Sequence, residues 1–189
     1  MAFLEFSGLS IPLPNKPTGH KKLRLIRDIS DIEIEKVKEG LYKSNFQHGL
    51  LFDIMCKGAL RISEVTTIKL NSINWIEWIN DPLKNGKLSI IGKGDKERVV
   101  LIEPETMTKM LEELEKRNPH MTPDLLANHQ KLLFDGLYTR KIYRIIKEKS
   151  KEIIGRDIRP HEIRHYKANA LLKKGNDIIN FSASPKGDN

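Results

Sequence analysis

The stretch RPHEIRH occupies residues 159–165 and contains the pattern H-E-x-x-H, which occurs in zinc proteases. On a helix, that spacing places His161 and His165 on one face, one turn apart. Pro160 precedes the first histidine, and proline is favoured in the first turn of a helix. We therefore predict that this stretch opens a helix, which continues to about Lys174.

The rest of the sequence disfavours a zinc site. A catalytic zinc ion needs a third protein ligand, and the histidines at positions 20, 48, 120 and 129 come with no recognisable third-ligand motif. Arg164 stands beside both imidazoles, and its fixed positive charge opposes the binding of another cation. We therefore expect no bound metal and no cofactor.

An anionic ligand fits the same residues better. His161 and Arg164 are three residues apart, so both can reach one ligand from the same helical face. The start of a helix favours anions, and arginine donates to phosphate oxygens in a planar, bidentate geometry. Histidine can also carry a proton near neutral pH. The stretch predicts phosphoryl chemistry, with a histidine that only caps or packs as the alternative.

Two further strings bear on this prediction: GALRISEV at residues 58–65 and IGKGDKERVVLI at residues 91–102. The first places Arg61 in a turn that opens a helix, and the second places Lys93 in a turn between two strands. In this order and at these intervals, the three strings resemble the catalytic domain of the tyrosine recombinase (phage integrase) family. The resemblance covers residues 28–180.

The resemblance implies a fold, an activity and partners. The fold would be a mainly helical α+β catalytic domain. The activity would be site-specific DNA recombination, in which DNA strands are cleaved and rejoined through a 3′-phosphotyrosine without a metal. The partners would be double-stranded DNA and other recombinase subunits in an oligomer on that DNA.

The resemblance also implies roles for individual residues. Arg61 and Arg164 match the two phosphate-binding arginines of the family. Lys93 matches the hairpin lysine that acts as general acid toward the departing 5′ oxygen. His161 matches the histidine that helps with proton transfer and contacts the phosphate. Supporting positions are matched by Glu64 and His165.

Several of these residues also have an ordinary structural interpretation. Arg61 could pair with Glu64 three residues on, as charged residues on helices often do. Lys93 could belong to a plain glycine-rich turn. Lys96 and Arg98 could be solvated charges at a strand edge, or phosphate contacts that flank the site.

The sequence departs from the family pattern after the arginine helix. A Leu-Gly-His turn and a helix with the nucleophilic tyrosine normally follow, but the 25 residues after Arg164 contain neither. Tyr166 is a poor candidate for the nucleophile because it should point away from the face shared by His161 and Arg164. The sequence therefore predicts a truncated recombinase that is inactive alone, with the nucleophile unknown.

The same residues are compatible with other functions. The chain could be a non-enzymatic DNA-binding regulator, or a partner of a full-length recombinase. A topoisomerase-like or hydrolytic phosphodiesterase would use the same pocket chemistry.

Local patterns predict the elements around these motifs. Alternating residues at 74–79, together with KLSII and RVVLI, predict a small three-stranded antiparallel sheet in a mostly helical domain. The proline-containing, then basic residues 1–27 are predicted to be a linker or arm, residues 28–180 the catalytic domain, and residues 181–189 a loose tail.

Composition supports a nucleic-acid partner. The 189-residue chain carries a net charge of +8. Residues 136–174 hold twelve basic and four acidic residues, an excess equal to that of the whole chain. No apolar run approaches the length of a membrane span, and Cys56, the single cysteine, excludes an internal disulfide. We expect a cytoplasmic protein without a membrane association.

Overall fold

The computed structural model describes residues 3–6, 9–12, 29–92 and 96–173, with the backbone alone for the first two ranges and for 171–173. The strands are β1 (Phe3–Phe6), β2 (Leu9–Pro12), β3 (Gly86–Ile91) and β4 (Glu97–Ile102). The helices are α1 (Asp31–Ser44), α2 (Phe46–Gly58), α3 (Ile62–Thr66), α4 (Trp75–Asn80), α5 (Pro104–Arg117), α6 (Pro123–Asn128), α7 (Thr139–Ile154) and α8 (Pro160–Lys173). A short 3-10 helix spans Leu70–Ser72.

The core surrounds α2. Every residue from Gly49 to Cys56 is buried, as expected for a helix that is apolar on all sides. Helices α1, α5, α7 and α8 pack against it, together with α3 and β4. Because α3, β4 and α8 all contact this helix, the three sequence strings that carry the predicted site are held on one scaffold.

The two described sheets are antiparallel hairpins. Strand β1 pairs with β2, inside the segment that the sequence predicts to be a linker or arm. Strand β3 pairs with β4 in a register that runs from Gly86 opposite Ile102 to Ile91 opposite Glu97. Alternate residues of this second hairpin are buried, so one of its faces packs on the core.

The predicted three-stranded sheet is wrong, because residues 74–79 do not form its third strand. Trp75–Asn80 is helix α4, and Ile73 contacts Leu88 only through an isolated bridge. Asn74 caps the helix by accepting a hydrogen bond from the backbone N–H of Glu77 (3.3 Å). Trp75 and Trp78 are both buried. Residues three positions apart lie on the same face of a helix, whereas on a strand they would point to opposite faces.

Two helix ends coincide with a glycine or a proline. Helix α7 ends at Gly155, whose φ of 74° is the left-handed conformation that glycine favours at a helix end. Helix α8 starts at Pro160, as predicted. Helix α1 follows its N-cap Ser30 and continues to Ser44, and the short helix α6 begins at Pro123.

Among the described residues, no helix is both long and apolar enough to cross a membrane. Cys56 is buried, and its burial raises the pKa of the thiol. The thiol is therefore disfavoured as a nucleophile.

Candidate phosphate-binding site

The site begins at the turn between α2 and α3. The chain leaves α2 through Ala59, whose φ of 48° is left-handed, and reaches Arg61 at the N-cap position of α3. The backbone N–H of Arg61 donates to the Glu64 Oε2 atom (2.7 Å), and its Nη1 donates to Oε1 (2.8 Å). The ordinary pairing considered for Arg61 is therefore present, and it orients the guanidinium.

Arg98 reaches the same carboxylate from β4. Its Nη1 donates to Glu64 Oε1 (3.2 Å) and its Nη2 to Oε2 (2.8 Å), a bidentate ion pair between strand and helix. The side chain of Glu64 is only 5% exposed. Burial acts to raise the pKa of Glu64, but hydrogen bonds from Arg61 and Arg98 outweigh it and lower that pKa.

Arg164 completes the group from α8. Its Nη1 lies 3.7 Å from Glu64 Oε2, within ion-pair range but without a hydrogen bond. That nitrogen is buried and has no hydrogen-bond partner among the described residues, although the side chain as a whole is 32% exposed. We call these four residues, Arg61, Glu64, Arg98 and Arg164, the arginine cluster.

The arginine cluster carries a formal charge of +2. Burial, and then the charges of Arg61 and Arg98, lower the pKa of Arg164, while Glu64 opposes this. An unpaired buried donor costs about 1–3 kcal/mol, and more when it is charged. The cluster therefore has both the charge and a spare donor to favour an anion.

The two histidines of α8 contact each other. The Nε2 atoms of His161 and His165 are 2.9 Å apart, so one imidazole donates to the other. Their rings meet edge to face, with centroids 4.3 Å apart. His161 is exposed, so it can reach a ligand from the surface, while His165 orients its ring.

Glu162 plays a local role at the start of α8. Its Oε2 accepts a hydrogen bond from the backbone N–H of Arg159 (2.6 Å), which satisfies a donor at the helix end. Within the described residues, no group of three His, Cys, Asp or Glu side chains is arranged to hold a metal.

Lys93 lies outside the described residues. The hairpin end just before it is described: the Gly92 N–H donates to the Lys96 carbonyl (2.8 Å). A Cβ on Gly92 would lie 3.6 Å from Arg98 Nη1 and 3.8 Å from Glu64 Oε1. The hairpin end therefore lies beside the arginine cluster.

The four tyrosines all lie in the described part of the chain. Tyr166 donates its hydroxyl hydrogen to Asp31 Oδ1 on α1 (2.7 Å), and Tyr42 donates weakly to buried Asp53 (3.5 Å). Burial and then the neighbouring carboxylate raise the pKa of both phenols. Tyr138 and Tyr143 are exposed at the start of α7. None of these hydroxyls is hydrogen-bonded to the arginine cluster.

Arg98 was predicted only as a solvated charge at a strand edge or as a phosphate contact that flanks the site, and the structure places it in the arginine cluster. A signal for it exists in β4, because Arg98 alternates with Val100 and Ile102, which are both buried. An arginine on the inward face of a strand needs a buried partner, and Glu64 provides it.

The start of α7 forms a second basic surface. Its open cleft, of about 450 Å³, is lined by Tyr138, Arg140, Lys141, Tyr143 and Arg144. The hydroxyls of Thr66 and Thr139 are 3.3 Å apart, so the end of α3 contacts the start of α7. Helix α3 therefore links this surface to the arginine cluster.

Comparison with known proteins identifies the fold. Residues 28–180 match the phage integrase family. The chain belongs to the phage integrase family. The family's tyrosine recombinases are thus its relatives, as the resemblance of the three strings predicted.

Two relatives show the extent of the similarity. The chain is 25% identical to tyrosine recombinase XerA of Pyrococcus furiosus over 178 residues, which cover 94% of this chain and 59% of that protein. It is 29% identical to tyrosine recombinase XerD of Lacticaseibacillus casei over 131 residues, 68% of this chain and 42% of that one. The chain thus spans about half the length of these relatives.

Solved structures of recombinases have the same fold. A crystal structure of XerA recombinase superposes with a TM-score of 0.62 at 20% identity, over 89% of this chain and 55% of that one. XerH site-specific recombinase, bound to its palindromic difH substrate in a post-cleavage complex, gives 0.62 at 23% identity, over 81% and 44%. The expected recombinase catalytic fold is therefore confirmed.

Proposed function

We propose that this chain binds double-stranded DNA and supplies the phosphate-activating residues of a tyrosine recombinase. The observation that carries the proposal is the buried Nη1 of Arg164, which has no hydrogen-bond partner in a cluster of charge +2. A rotation of this partly exposed side chain toward a DNA phosphate oxygen would satisfy that donor. A guanidinium carries the opposite charge to a phosphate, and its planar fork can donate two parallel hydrogen bonds to phosphate oxygens.

The arginines would act on the transition state. As a nucleophile attacks phosphorus, negative charge grows on the non-bridging oxygens. Arg61 and Arg164 start from different elements and can donate to two different oxygens, and donors that are already oriented stabilise this charge most. Since guanidiniums supply the positive charge, this step calls for no metal ion.

Lys93 and His161 would transfer protons during the reaction. The proposed step forms a bond between the tyrosine oxygen and phosphorus and breaks the bond from phosphorus to the 5′ oxygen. That oxygen leaves with a proton, which Lys93 would supply from the hairpin turn next to Gly92. His161 would contact the phosphate and accept the tyrosine proton as the new bond forms, with His165 as its hydrogen-bond partner. The second step reverses the first on a new strand end.

The nucleophile would come from outside these 189 residues. Tyr166 is held by Asp31, and its raised pKa opposes formation of the attacking phenolate. A subunit of a recombinase oligomer could provide the tyrosine in trans. In this proposal, residues 1–27 are a linker or arm, residues 28–180 the catalytic domain and residues 181–189 a tail. The protein would act in the cytoplasm, where the DNA is.

The surface at the start of α7 would hold the DNA backbone. Three basic side chains line its cleft, and two exposed tyrosines lie among them. Basic residues bind phosphates without regard to sequence, and they make binding sensitive to salt. Contact between α3 and α7 would place this surface at a fixed distance from the arginine cluster.

A second candidate function is a DNA-binding regulator that joins recombinase assemblies without cleaving. Two observations favour this alternative. Tyr166 is hydrogen-bonded to Asp31, and none of the four tyrosine hydroxyls is hydrogen-bonded to the arginine cluster.

A nicked suicide duplex tests which function applies. We expect this chain alone to form no covalent DNA adduct on a denaturing gel. Added to a full-length recombinase that keeps its tyrosine but lacks its own phosphate-binding arginines, it should restore an adduct on that partner. A footprint without restored cleavage would favour the regulator.

The control for this experiment is Tyr166→Phe. The variant should restore the partner's adduct as well as the unmodified chain does. An adduct on this chain that disappears in Tyr166→Phe would overturn the assignment of the nucleophile to another segment.

A further inference from the structure

Arg98 differs from the other two arginines in its surroundings. Its side chain is 19% exposed, against 45% for Arg61 and 32% for Arg164. It lies on the inward face of β4, and both of its terminal nitrogens are bound to Glu64. Arg98 is therefore poorly placed to bind DNA itself. Any effect of Arg98 on DNA binding would be indirect, through its contact with Glu64.

The Glu64 carboxylate is fully occupied. It accepts one hydrogen bond from the backbone N–H of Arg61, one from the Arg61 side chain and two from Arg98. A carboxylate offers about four acceptor positions. With these four filled, Arg164 Nη1 remains at 3.7 Å without a hydrogen bond.

We propose that Arg98 is a positioning residue that keeps Arg164 available for a phosphate. By filling two acceptor positions of Glu64, it prevents the carboxylate from capturing the Arg164 guanidinium. Without Arg98, Arg164 would need to move less than 1 Å to reach normal hydrogen-bond distance, and the carboxylate would then compete with the phosphate. The identity of the anion rests on the proposed function, but the competition for Glu64 does not.

The same ion pair connects two parts of the site. Glu64 lies on α3 with Arg61, and Arg98 lies on the hairpin that continues through Gly92 to Lys93. Gly92 is close to both charged groups, so the pair fixes the hairpin against α3 where the strand ends. Arg98 would therefore position the hairpin as well as Arg164.

The decisive variant is Arg98→Lys, because it keeps the positive charge and loses the bidentate contact. Inorganic phosphate serves as the probe, and its dissociation constant is followed through the ¹⁵N signals of the arginine side chains. We expect Arg98→Lys to weaken phosphate binding about tenfold, close to the effect of Arg164→Gln, since one charge-assisted hydrogen bond is lost in each case. In the double variant, the two losses should not add.

The position of Arg164 is followed through its side-chain ¹⁵N signal in the absence of phosphate. This signal is identified as the one that disappears in Arg164→Gln. In Arg98→Lys it should shift and exchange more slowly with water, because Glu64 has captured the guanidinium. Adding Glu64→Gln to Arg98→Lys should reverse the shift and recover phosphate binding. Lys87→Met removes a positive charge from the same hairpin and should change neither quantity; Lys87 is exposed and paired with Glu77.

The outcomes separate the inference from the proposed function. Unchanged Arg164 signals in a folded Arg98→Lys protein would overturn the inference, whatever the chain binds. Losses that add in the double variant would instead make Arg98 an independent phosphate contact, and this also overturns it. If the wild-type protein binds neither phosphate nor DNA, the proposed function fails, while the Arg164 signal still tests the competition for Glu64.

Discussion

At the scale of single residues, a few carboxylates organise the cationic groups of this protein. Glu64 holds two arginines and leaves a third without a hydrogen bond. Glu33 does comparable work in the fold: Arg156 donates to both of its oxygens, at 2.9 and 3.0 Å. Each carboxylate has an arginine partner from an element distant in sequence, Arg98 for Glu64 and Arg156 for Glu33, so each pair fixes tertiary geometry.

Glu33→Gln should destabilise the protein at neutral pH by about 1–2 kcal/mol, because it loses a bidentate charged pair. The pKa of Glu33 is lowered from 4.5 to about 2, mainly by the hydrogen bonds from Arg156 and then by that from Ser30. A lowered folded-state pKa means that the stabilisation is present above pH 4.5. It is lost as the pH falls toward 2.

Urea denaturation at pH 7 and at about pH 3 measures this difference. The gap between wild type and Glu33→Gln should narrow at the lower pH. Glu152→Gln is the control, since exposed Glu152 pairs with Lys149 on the same helix and should cost at most about 0.5 kcal/mol. A gap that stays constant with pH would show that the Glu33 charge contributes nothing.

At the scale of elements, the helices pack closely around α2. Gly49 lies on α2 directly beneath the Tyr42 ring of α1, and a Cβ there would overlap ring atoms. Gly40 also meets a neighbour, but its Cβ would press on the flexible end of Ile153. These two glycines differ in how easily their neighbours can move.

Gly49→Ala should therefore destabilise the protein by about 1–3 kcal/mol through overpacking. Gly40→Ala should cost clearly less, because the Ile153 side chain can change rotamer and alanine favours the helix. Thermal unfolding of both variants checks the order. Equal losses would mean that the α1–α2 contact is not tightly packed at Tyr42.

Elements with clear end signals could be predicted from sequence, and ambiguous short ones could not. Pro160 predicted the start of α8, because proline is favoured in the first turn of a helix. Residues 74–79 were predicted as an alternating strand, but their polar residues Asn74 and Glu77, like the two tryptophans, are three positions apart, which is the spacing of a helix. There the Asn74 cap, a local hydrogen bond, decided the outcome.

The site was partly predictable for a related reason. Arg61, Glu64, His161, His165 and Arg164 lie in strings whose spacing could be matched to a family, and the structure places them on α3 and α8. Arg98 depends on a pairing between residues 34 positions apart, which local sequence does not show. The pairing of Tyr166 with Asp31 spans 135 positions and was likewise invisible.

At the scale of the whole molecule, positive charge is gathered in the part of the chain that builds the site. The segment 136–174 supplies α7 and α8, and it contains an excess of basic residues equal to the net charge of the chain. The arginine cluster and the α7 surface are linked through α3. This arrangement fits a polyanion that lies across both features.

The proposed function requires a contact between Arg164 and a DNA phosphate. The most direct measurement is the dissociation constant for duplex DNA as a function of salt, for wild type, Arg164→Gln and the charge-matched control Lys87→Met. We predict that Arg164→Gln weakens binding about tenfold and reduces the slope of log K against log salt by about 0.9, the value for one phosphate contact. Lys87→Met should match wild type. If Arg164→Gln and Lys87→Met had the same affinity and the same salt slope, the proposed contact would be contradicted.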